Sequence, residues 1–145
     1  MPYIRVWIHF VWSTKNRNPL LKKEVRQKLI SHIKQNAKEK NIYLDCINGY
    51  TEHLHCLVSL GSDQTLSKVM QLIKGEASNW FNKNEMADEK LEWQDEYFAV
   101  SVSESQIEAV RKYIFNQEAH HRNKSFEDES NEFIAKYGFQ KFSGK

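Results

Sequence analysis

The chain has 145 residues, of which 40% are hydrophobic and 28% are charged, and its formal net charge is +2. This length predicts a single domain over residues 1–145, and the balance of residue types excludes an intrinsically disordered protein. No apolar run approaches the roughly 20 residues that cross a bilayer, and the first residues lack the pattern of a signal peptide. We therefore expect a cytoplasmic protein with no membrane partner.

The first half of the chain predicts a strand, a helix and a hairpin. Apolar residues alternate over residues 3–14, where Ile4, Val6, Ile8, Phe10 and Trp12 would share one face of a strand. A four-residue spacing of apolar residues follows, which is typical of an amphipathic helix. The predicted elements are a strand over 3–14, a loop over 15–19, a helix over 22–40, and two antiparallel strands over 43–50 and 53–60.

The second half predicts a long helix, a strand and two more helices. Helical spacing is clearest over residues 64–82, and residues 84–95 are polar enough to form a loop. A strand is expected over 97–103. The next helix would start with a capping box between Ser103 and Gln106 and run to about His120, and a last helix would span 127–137.

The order of these elements is typical of an α+β, ferredoxin-like βαββαβ fold. We predict a four-stranded antiparallel sheet with two helices on one face, plus a C-terminal helix that carries a tyrosine. The other face of the sheet would stay free for a site or a partner. Residues from about 121 to 145 form a C-terminal tail, and its last helix lies outside this pattern, so it must dock somewhere or exchange with a second subunit.

His53-Leu54-His55 is the first candidate site. Residues two apart on a strand point the same way, so His53 and His55 would project from one face and share a metal ion. Leu54, Cys56 and Val58 would point into the core. Taken alone, such a pair is more typical of packing or surface histidines than of a metal site.

Tyr113 and Gln117 form the second candidate site. They lie one helical turn apart, and His120 continues the same face. A lone tyrosine at this spacing usually packs against a neighbour and leaves its hydroxyl in water.

Read together, these motifs resemble the single-tyrosine HUH transposases of small bacterial insertion sequences, the TnpA type, and their relatives associated with repetitive palindromic elements. His53-Leu54-His55 matches the HUH motif, and Tyr113 with Gln117 four residues on matches the nucleophile helix. Residues 7–15, 72–75, 93–94 and 97–103 resemble further family segments. The resemblance runs from about residue 3 to 126. It departs at Glu52, where the family often has aspartate.

The resemblance implies metal-dependent nicking and rejoining of single-stranded DNA. Tyr113 would be the catalytic nucleophile and form a 5′-phosphotyrosine intermediate, so that an insertion sequence is moved without ATP. His53 and His55, joined by the amide oxygen of Gln117, would hold the divalent metal. Imidazole ligands suit Mn²⁺ better than Mg²⁺, but the family uses Mg²⁺, so the sequence leaves the ion open between Mg²⁺ and Mn²⁺.

The expected partner is single-stranded or hairpin DNA. Lys74 lies in a segment that resembles a DNA-contact region of the family. The other candidate phosphate contacts are Lys15, Arg17, Arg122 and Lys124. The resemblance also implies a homodimer, in which the tyrosine helix of one subunit can act on the histidines of the other.

Three alternatives remain at this point. The protein can be a metal-dependent phosphodiester hydrolase that uses water and needs no tyrosine. It can be a domesticated relative that binds DNA or regulates without transposing. It can also be a ferredoxin-like dimer that uses its open sheet face for protein contacts and binds neither metal nor DNA.

Overall fold

The computed structural model describes residues 2–139 and confirms the predicted α+β class. Its sheet has the strand order β2-β3-β1-β4, and every neighbouring pair is antiparallel. The strands are β1 (Trp7–Thr14), β2 (Tyr43–Gly49), β3 (His53–Ser59) and β4 (Trp93–Val102). The helices are α1 (Lys23–Glu39), α2 (Leu66–Lys83), α3 (Ile107–Phe115), α4 (Gln117–His121) and α5 (Phe126–Tyr137). Among these residues no helix is both long and apolar enough to cross a bilayer.

Helices α1 and α2 cover one face of the sheet and enclose the main core. The central strands supply Ile8, Phe10 and Trp12 from β1, and Leu54 and Cys56 from β3. The apolar stripes of the two helices pack on them through Leu29, Ile33, Ala37, Val69, Met70, Ile73, Ala77 and Phe81. The alternation along β1 and β3 therefore places their odd-numbered residues, including both candidate histidines, on the opposite face.

Strand β1 starts later than the sequence pattern predicts, at Trp7 rather than residue 3. Trp7 is the first residue of β1 that pairs with both β3 and β4, and Val6 contributes only its carbonyl oxygen to the amide of Leu60. Ile4 and Val6 are exposed instead of sharing the core face. The alternation continues beyond the point where neighbouring strands end, so it overestimates the strand.

Strand β4 is longer than predicted and includes residues assigned to a loop. It starts at Trp93, which pairs with Thr14 beyond an irregularity in the register. The indole N–H of Trp93 donates to the carbonyl of Lys74 on α2. The polar residues of this segment lie at the sheet edge, which explains why their composition is typical of a loop.

The predicted helix over 103–120 is divided into three parts. A 3-10 turn (Glu104–Gln106) precedes α3, and the hydroxyl of Ser103 contacts Ser105 rather than a backbone amide, so the capping box does not form. Helix α3 ends at Phe115, and α4 starts after Asn116. Tyr113 therefore lies on α3, with two further helices after it.

The second face of the sheet is covered rather than free. Helix α3 packs on it through Ile107 and Ile114, against Trp7 and Leu57. Helix α5 adds Phe133, whose ring lies against His9, His55 and Phe98. Helix α5 of the tail thus docks on the sheet of its own chain and helps to enclose the two candidate histidines, whereas residues 140–145 of the predicted tail lie outside the described residues.

Gly49 fixes the start of β3 at the point where His53 enters the sheet. A Cβ atom at residue 49 would lie 2.2 Å from the carbonyl oxygen of His53, which is backbone and cannot rotate away. We expect Gly49→Ala to lower the free energy of unfolding by about 1–3 kcal/mol, as overpacking does. Gly75→Ala is the matched control, because nothing lies within 4 Å of its Cβ position, and it should raise stability by about 0.5–1 kcal/mol. Urea unfolding of both variants measures the difference, and equal effects would contradict it.

Candidate active site

His53 and His55 are completely buried between β3 and the helices of the second face. Nδ1 of His53 lies 2.7 Å from a carboxylate oxygen of Glu52, which can only accept, so this nitrogen carries the hydrogen. Nδ1 of His55 lies 2.9 Å from Nε2 of His9. Without a metal, Nε2 of His55 donates to Oε1 of Glu129 at 3.2 Å. Metal binding requires the other tautomer, in which Nδ1 donates to His9 and Nε2 keeps its lone pair. Both histidines can therefore present Nε2 to the same interior space.

Glu129 on α5 lies at the centre of that space with 1% of its surface exposed. Its Oε1 atom is 3.4 Å from Nε2 of His53 and 3.2 Å from Nε2 of His55. The same oxygen is 3.3 Å from Nε2 of His121, while Oε2 is 3.2 Å from Nε2 of His120. Four imidazole rings therefore surround one buried carboxylate.

Tyr113 reaches the same carboxylate from α3. Its hydroxyl donates to Oε2 of Glu129, whereas His53 and His55 lie near Oε1 of the same carboxylate. Its ring lies edge-on to His55, with 5.5 Å between the ring centroids. Tyrosine and histidines of one chain therefore form one cluster, in which Glu129 connects the hydroxyl to the imidazoles.

Gln117 also joins the cluster, as its spacing from Tyr113 predicts. It is completely buried, and its Oε1 atom lies 3.0 Å from Nε2 of His53. Its amide nitrogen donates to the carbonyl of Tyr113 at 3.3 Å. The break in the helix at Asn116 does not separate the pair, because Gln117 still lies one turn from the tyrosine.

Burial gives the histidines of the cluster different proton affinities. Burial, with nearby His55, lowers the pKa of His9 to about 3, and burial, with nearby His53, lowers the pKa of His121 to about 4. Burial also lowers the pKa of His55 well below its usual value. Although burial opposes its charging, hydrogen bonds with Glu129 and Glu52 raise the pKa of His53. Neutral imidazole is the form that binds a metal, so the lowered pKa of His55 favours metal binding, whereas the raised pKa of His53 makes a proton compete with the metal at that ring.

Residues 3–117 match the family model described as "Transposase IS200 like". The match covers well over half of the chain and includes His53, His55, Tyr113 and Gln117. The chain belongs to the IS200-like transposase family. No match was found among curated proteins.

Solved structures show the same fold. A protein from Deinococcus radiodurans R1 assigned as a transposase is 21% identical, with a TM-score of 0.65, over 81% of this chain and 95% of its own. A REP-associated tyrosine transposase bound to a REP hairpin is 18% identical, with a TM-score of 0.63, over 83% of this chain and 72% of its own. At these identities the likeness concerns the fold.

The donor atoms of this IS200-like transposase suit a divalent metal. His53, His55 and Glu129 offer ligand atoms that all lie within 4.8 Å of one another, and His120, His121 and Glu129 form a second such group. Metal-bound histidines usually have the other ring nitrogen held by a carboxylate or another acceptor. Glu52 and His9 hold Nδ1 of His53 and of His55 in this way. Two imidazoles and a carboxylate fit Mn²⁺ or another transition metal better than Mg²⁺.

Sequence reasoning did not identify Glu129, His121 or His9 as site residues. The alternation along β1 could have pointed to His9, because it places His9 on the same face as Val11 and Ser13. These two residues pair with His55 and His53, respectively. Glu129 and His121 lie beyond the residues that match the family model. Glu129 is one of three acidic residues in the first turn of α5, and nothing in the sequence distinguishes it from the exposed pair Glu127 and Asp128.

The predicted DNA-contact residues fall into two groups. Lys15, Arg17, Arg122 and Lys124 lie in the segments that follow β1 and α4. Lys15 and Arg17 form exposed ion pairs with Glu92 and Glu127, and Lys124 pairs with Glu132.

Lys74 lies apart, on α2 at the opposite face of the sheet. Its ammonium donates to the carbonyls of Gln94 and Asp95, at 2.8 and 3.3 Å, and burial lowers its pKa. The structure gives Lys74 a role in joining α2 to β4, at a distance from the histidines.

Stability should fall when the metal-free protein is acidified below about pH 6.5. In that range the unfolded chain takes up protons on His9, His55 and His121, whereas the folded protein does not, because their pKa values are lowered. Each such group removes about 1.4 kcal/mol of unfolding free energy per pH unit until its folded pKa is reached.

The contribution of His53 to the pH dependence of stability has the opposite sign. Below about pH 6.5 it does not add to the loss of unfolding free energy. Its raised pKa stabilises the folded state at low pH, and that contribution is lost only as the pH rises through the raised value. Urea unfolding at pH 7 and pH 5 measures the net loss. His9→Gln, which keeps a hydrogen bond for His55, should show a smaller loss, and an identical pH dependence would contradict this explanation.

Proposed function

We propose that this transposase nicks and rejoins single-stranded DNA through a 5′-phosphotyrosine on Tyr113. One observation carries the proposal: the hydroxyl of Tyr113 and the Nε2 atoms of His53 and His55 meet on the carboxylate of Glu129. A nucleophile and a set of metal ligands are thus adjacent, as metal-assisted phosphoryl transfer requires.

We propose that His53 and His55 hold the divalent metal, Mn²⁺ or Mg²⁺, with Glu129 as a third ligand. Gln117 is the further proposed ligand, since its amide oxygen faces Nε2 of His53. When bound, the metal offsets the negative charge of the phosphodiester and polarises its phosphorus.

The proposed reaction uses groups that the structure places together. The hydroxyl oxygen of Tyr113 forms a bond to phosphorus while the bond from phosphorus to the 3′ oxygen breaks. Glu129 Oε2, which already accepts the Tyr113 hydroxyl hydrogen, receives the proton, and the 3′ oxygen leaves as a hydroxyl after protonation by water. In the reverse step a 3′ hydroxyl attacks the phosphotyrosine, so a strand is rejoined without ATP and an insertion sequence can be moved.

The proposed partner is single-stranded or hairpin DNA, and the solved relative bound to a REP hairpin supports this choice. Lys15, Arg17, Arg122 and Lys124 are the proposed phosphate contacts, because they lie on segments around the active site. A role for Lys74 stays a prediction, since its ammonium is engaged within the chain. We also propose that the activity is cytoplasmic, where a DNA substrate would be available to it.

We retain a homodimer in the proposal, but with each active site formed within one chain. Tyr113 already contacts Glu129 of its own chain, next to His53 and His55. A monomer prepared by dilution should therefore keep cleavage activity, and light scattering alongside a cleavage assay measures both properties. Loss of cleavage on dissociation would instead support exchange of the tyrosine helix between subunits.

A covalent-adduct assay tests the proposal. The protein is incubated with Mn²⁺ or Mg²⁺ and labelled single-stranded oligonucleotides from the ends of its genomic neighbourhood, then separated on a denaturing gel. We expect a labelled band at the size of the protein that requires metal and disappears with a chelator. Cleavage without an adduct would overturn the tyrosine mechanism in favour of hydrolysis by water.

A further inference from the structure

A cavity of about 450 Å³ lies beside the cluster of histidines. It is bounded by β1, β4, the turn after β1 and helix α5, and its volume falls within the roughly 300–1,000 Å³ of small-molecule sites. Exposed residues such as Asn131 and Ile134 form part of its wall, so it opens to the surface.

The cavity and the active site share their walls. Phe126 lines the cavity and stacks on His53, with 4.1 Å between the ring centroids. Val11 and Ser13 also line it, and they pair across the sheet with His55 and His53. A DNA strand whose phosphate lies at the histidines would therefore bring an adjacent nucleotide to this cavity.

The walls combine flat apolar surfaces with groups that form hydrogen bonds. Phe98 and Phe126 supply aromatic rings, and Asn16, Gln94 and Asn131 supply side-chain amides. Unstacked bases of single-stranded nucleic acids bind in this way, with the ring against an aromatic side chain and the edge against polar groups.

Ser130 gives an independent sign that a ligand belongs here. Its side chain lines the cavity and is only 5% exposed, yet its hydroxyl has no hydrogen-bond partner within the described residues. Buried hydroxyls in proteins are nearly always paired, because an unpaired one costs free energy. Because the hydroxyl is almost fully covered, the edge of a base would pair with it only after a small movement of the cavity wall.

The turn after β1 is strained at the mouth of the cavity. Asn16 and Arg17 both have left-handed backbone angles, with φ of 58° and 54°, although neither is glycine. Such strain persists where the surrounding structure imposes it, as the side-chain oxygen of Gln94 does here by accepting the amide of Asn16 at 3.2 Å. The strained turn brings the amide and the guanidinium to the cavity wall.

We propose that this cavity binds one unstacked nucleobase of the single-stranded DNA, next to the phosphate that Tyr113 attacks. The inference rests on the proposed function, but it concerns binding and needs no cleavage. It predicts that the protein recognises a base at one fixed position, in addition to the charge of the phosphates.

Photo-crosslinking locates the base. The Tyr113→Phe protein, which leaves DNA uncut, is irradiated with a single-stranded oligonucleotide that carries 5-iododeoxyuridine, and the crosslinked peptides are identified by mass spectrometry. We expect crosslinks to Phe98 or Phe126. Crosslinks that lie only outside the cavity would overturn the inference and leave the proposed function intact.

A second measurement separates base recognition from phosphate binding. Oligothymidylate of about 16 nucleotides, which covers one binding site, is compared with an abasic strand of the same length and charge. The wild-type protein should bind oligothymidylate about tenfold more tightly, as expected for one stacked base. Equal affinities would overturn the base site, whereas no affinity for either strand would overturn the proposed function as well.

Variants test whether the difference in affinity between the two strands arises in the cavity. Ser130→Leu fills it from the buried side and Asn131→Leu from the exposed side, so each should reduce the affinity for oligothymidylate to that for the abasic strand. Ser31→Leu, at an exposed position on α1 outside the cavity, is the control. Thermal melting verifies that each variant is folded. If both folded cavity variants keep the tenfold difference, the base lies elsewhere.

Discussion

Tyr113→Phe is expected to abolish the covalent adduct and to reduce DNA cleavage by at least about 10⁴-fold, as the loss of a covalent nucleophile does. The substitution removes one oxygen atom and keeps the ring that lies against His55 and His120. Binding of DNA should stay within about twofold of wild type. The denaturing gel and a filter-binding assay measure the two effects separately.

Tyr137→Phe is the matched control for this substitution. Tyr137 lies at the end of α5 and is 42% exposed, and its ring packs on Phe133 and Phe139. Its hydroxyl lies outside the cluster, so we expect unchanged cleavage. A reduction equal to that of Tyr113→Phe would mean that the assay reports folding rather than a nucleophile.

The same variant distinguishes the alternatives that the sequence leaves open. A hydrolase that activates water at His53 and His55 would continue to cleave DNA without Tyr113. A domesticated binding module would bind DNA with or without the hydroxyl and would cleave in neither case. A dimer that uses its sheet face for protein contacts would bind no DNA, and the packing of α3 and α5 on that face already argues against it.

The sequence predicts the scaffold well because the scaffold depends on local pattern. Alternation along β1 and β3 and the helical stripe of α2 are determined by which faces are buried, and each is visible within ten to twenty residues. The errors lie where tertiary pairing decides the outcome. The start of β1 and the start of β4 depend on which residues a neighbouring strand can pair with.

The site is predicted only as far as the family motif extends. His53, His55, Tyr113 and Gln117 are recognised together because their order and spacing resemble one family, and the structure brings them together. Glu129 lies 16 residues beyond Tyr113, on α5, and its burial results from the docking of that helix. No local pattern reports that docking, so the group at the centre of the cluster could not be read from the sequence.

Glu129→Gln is expected to weaken Mn²⁺ binding at least about tenfold. Substitutions that only disturb the support of metal ligands cost about 10–100-fold, and this one removes the charge of a proposed ligand while keeping its size. The free energy lost comes from the electrostatic attraction between a divalent cation and a carboxylate that is almost fully buried. Titration followed by the electron paramagnetic resonance signal of free Mn²⁺ measures the affinity without any DNA.

Glu127→Gln makes the same chemical change on the same helix at a side chain that is 71% exposed and pairs with Arg17. It should leave Mn²⁺ affinity unchanged, because water screens its charge. If Glu129→Gln also leaves the affinity unchanged, the metal is held by His53, His55 and Gln117 alone, and Glu129 serves only the Tyr113 hydroxyl. That outcome would remove Glu129 from the proposed metal site, yet it would leave the nucleophile in place, because Tyr113→Phe tests a different atom of the cluster.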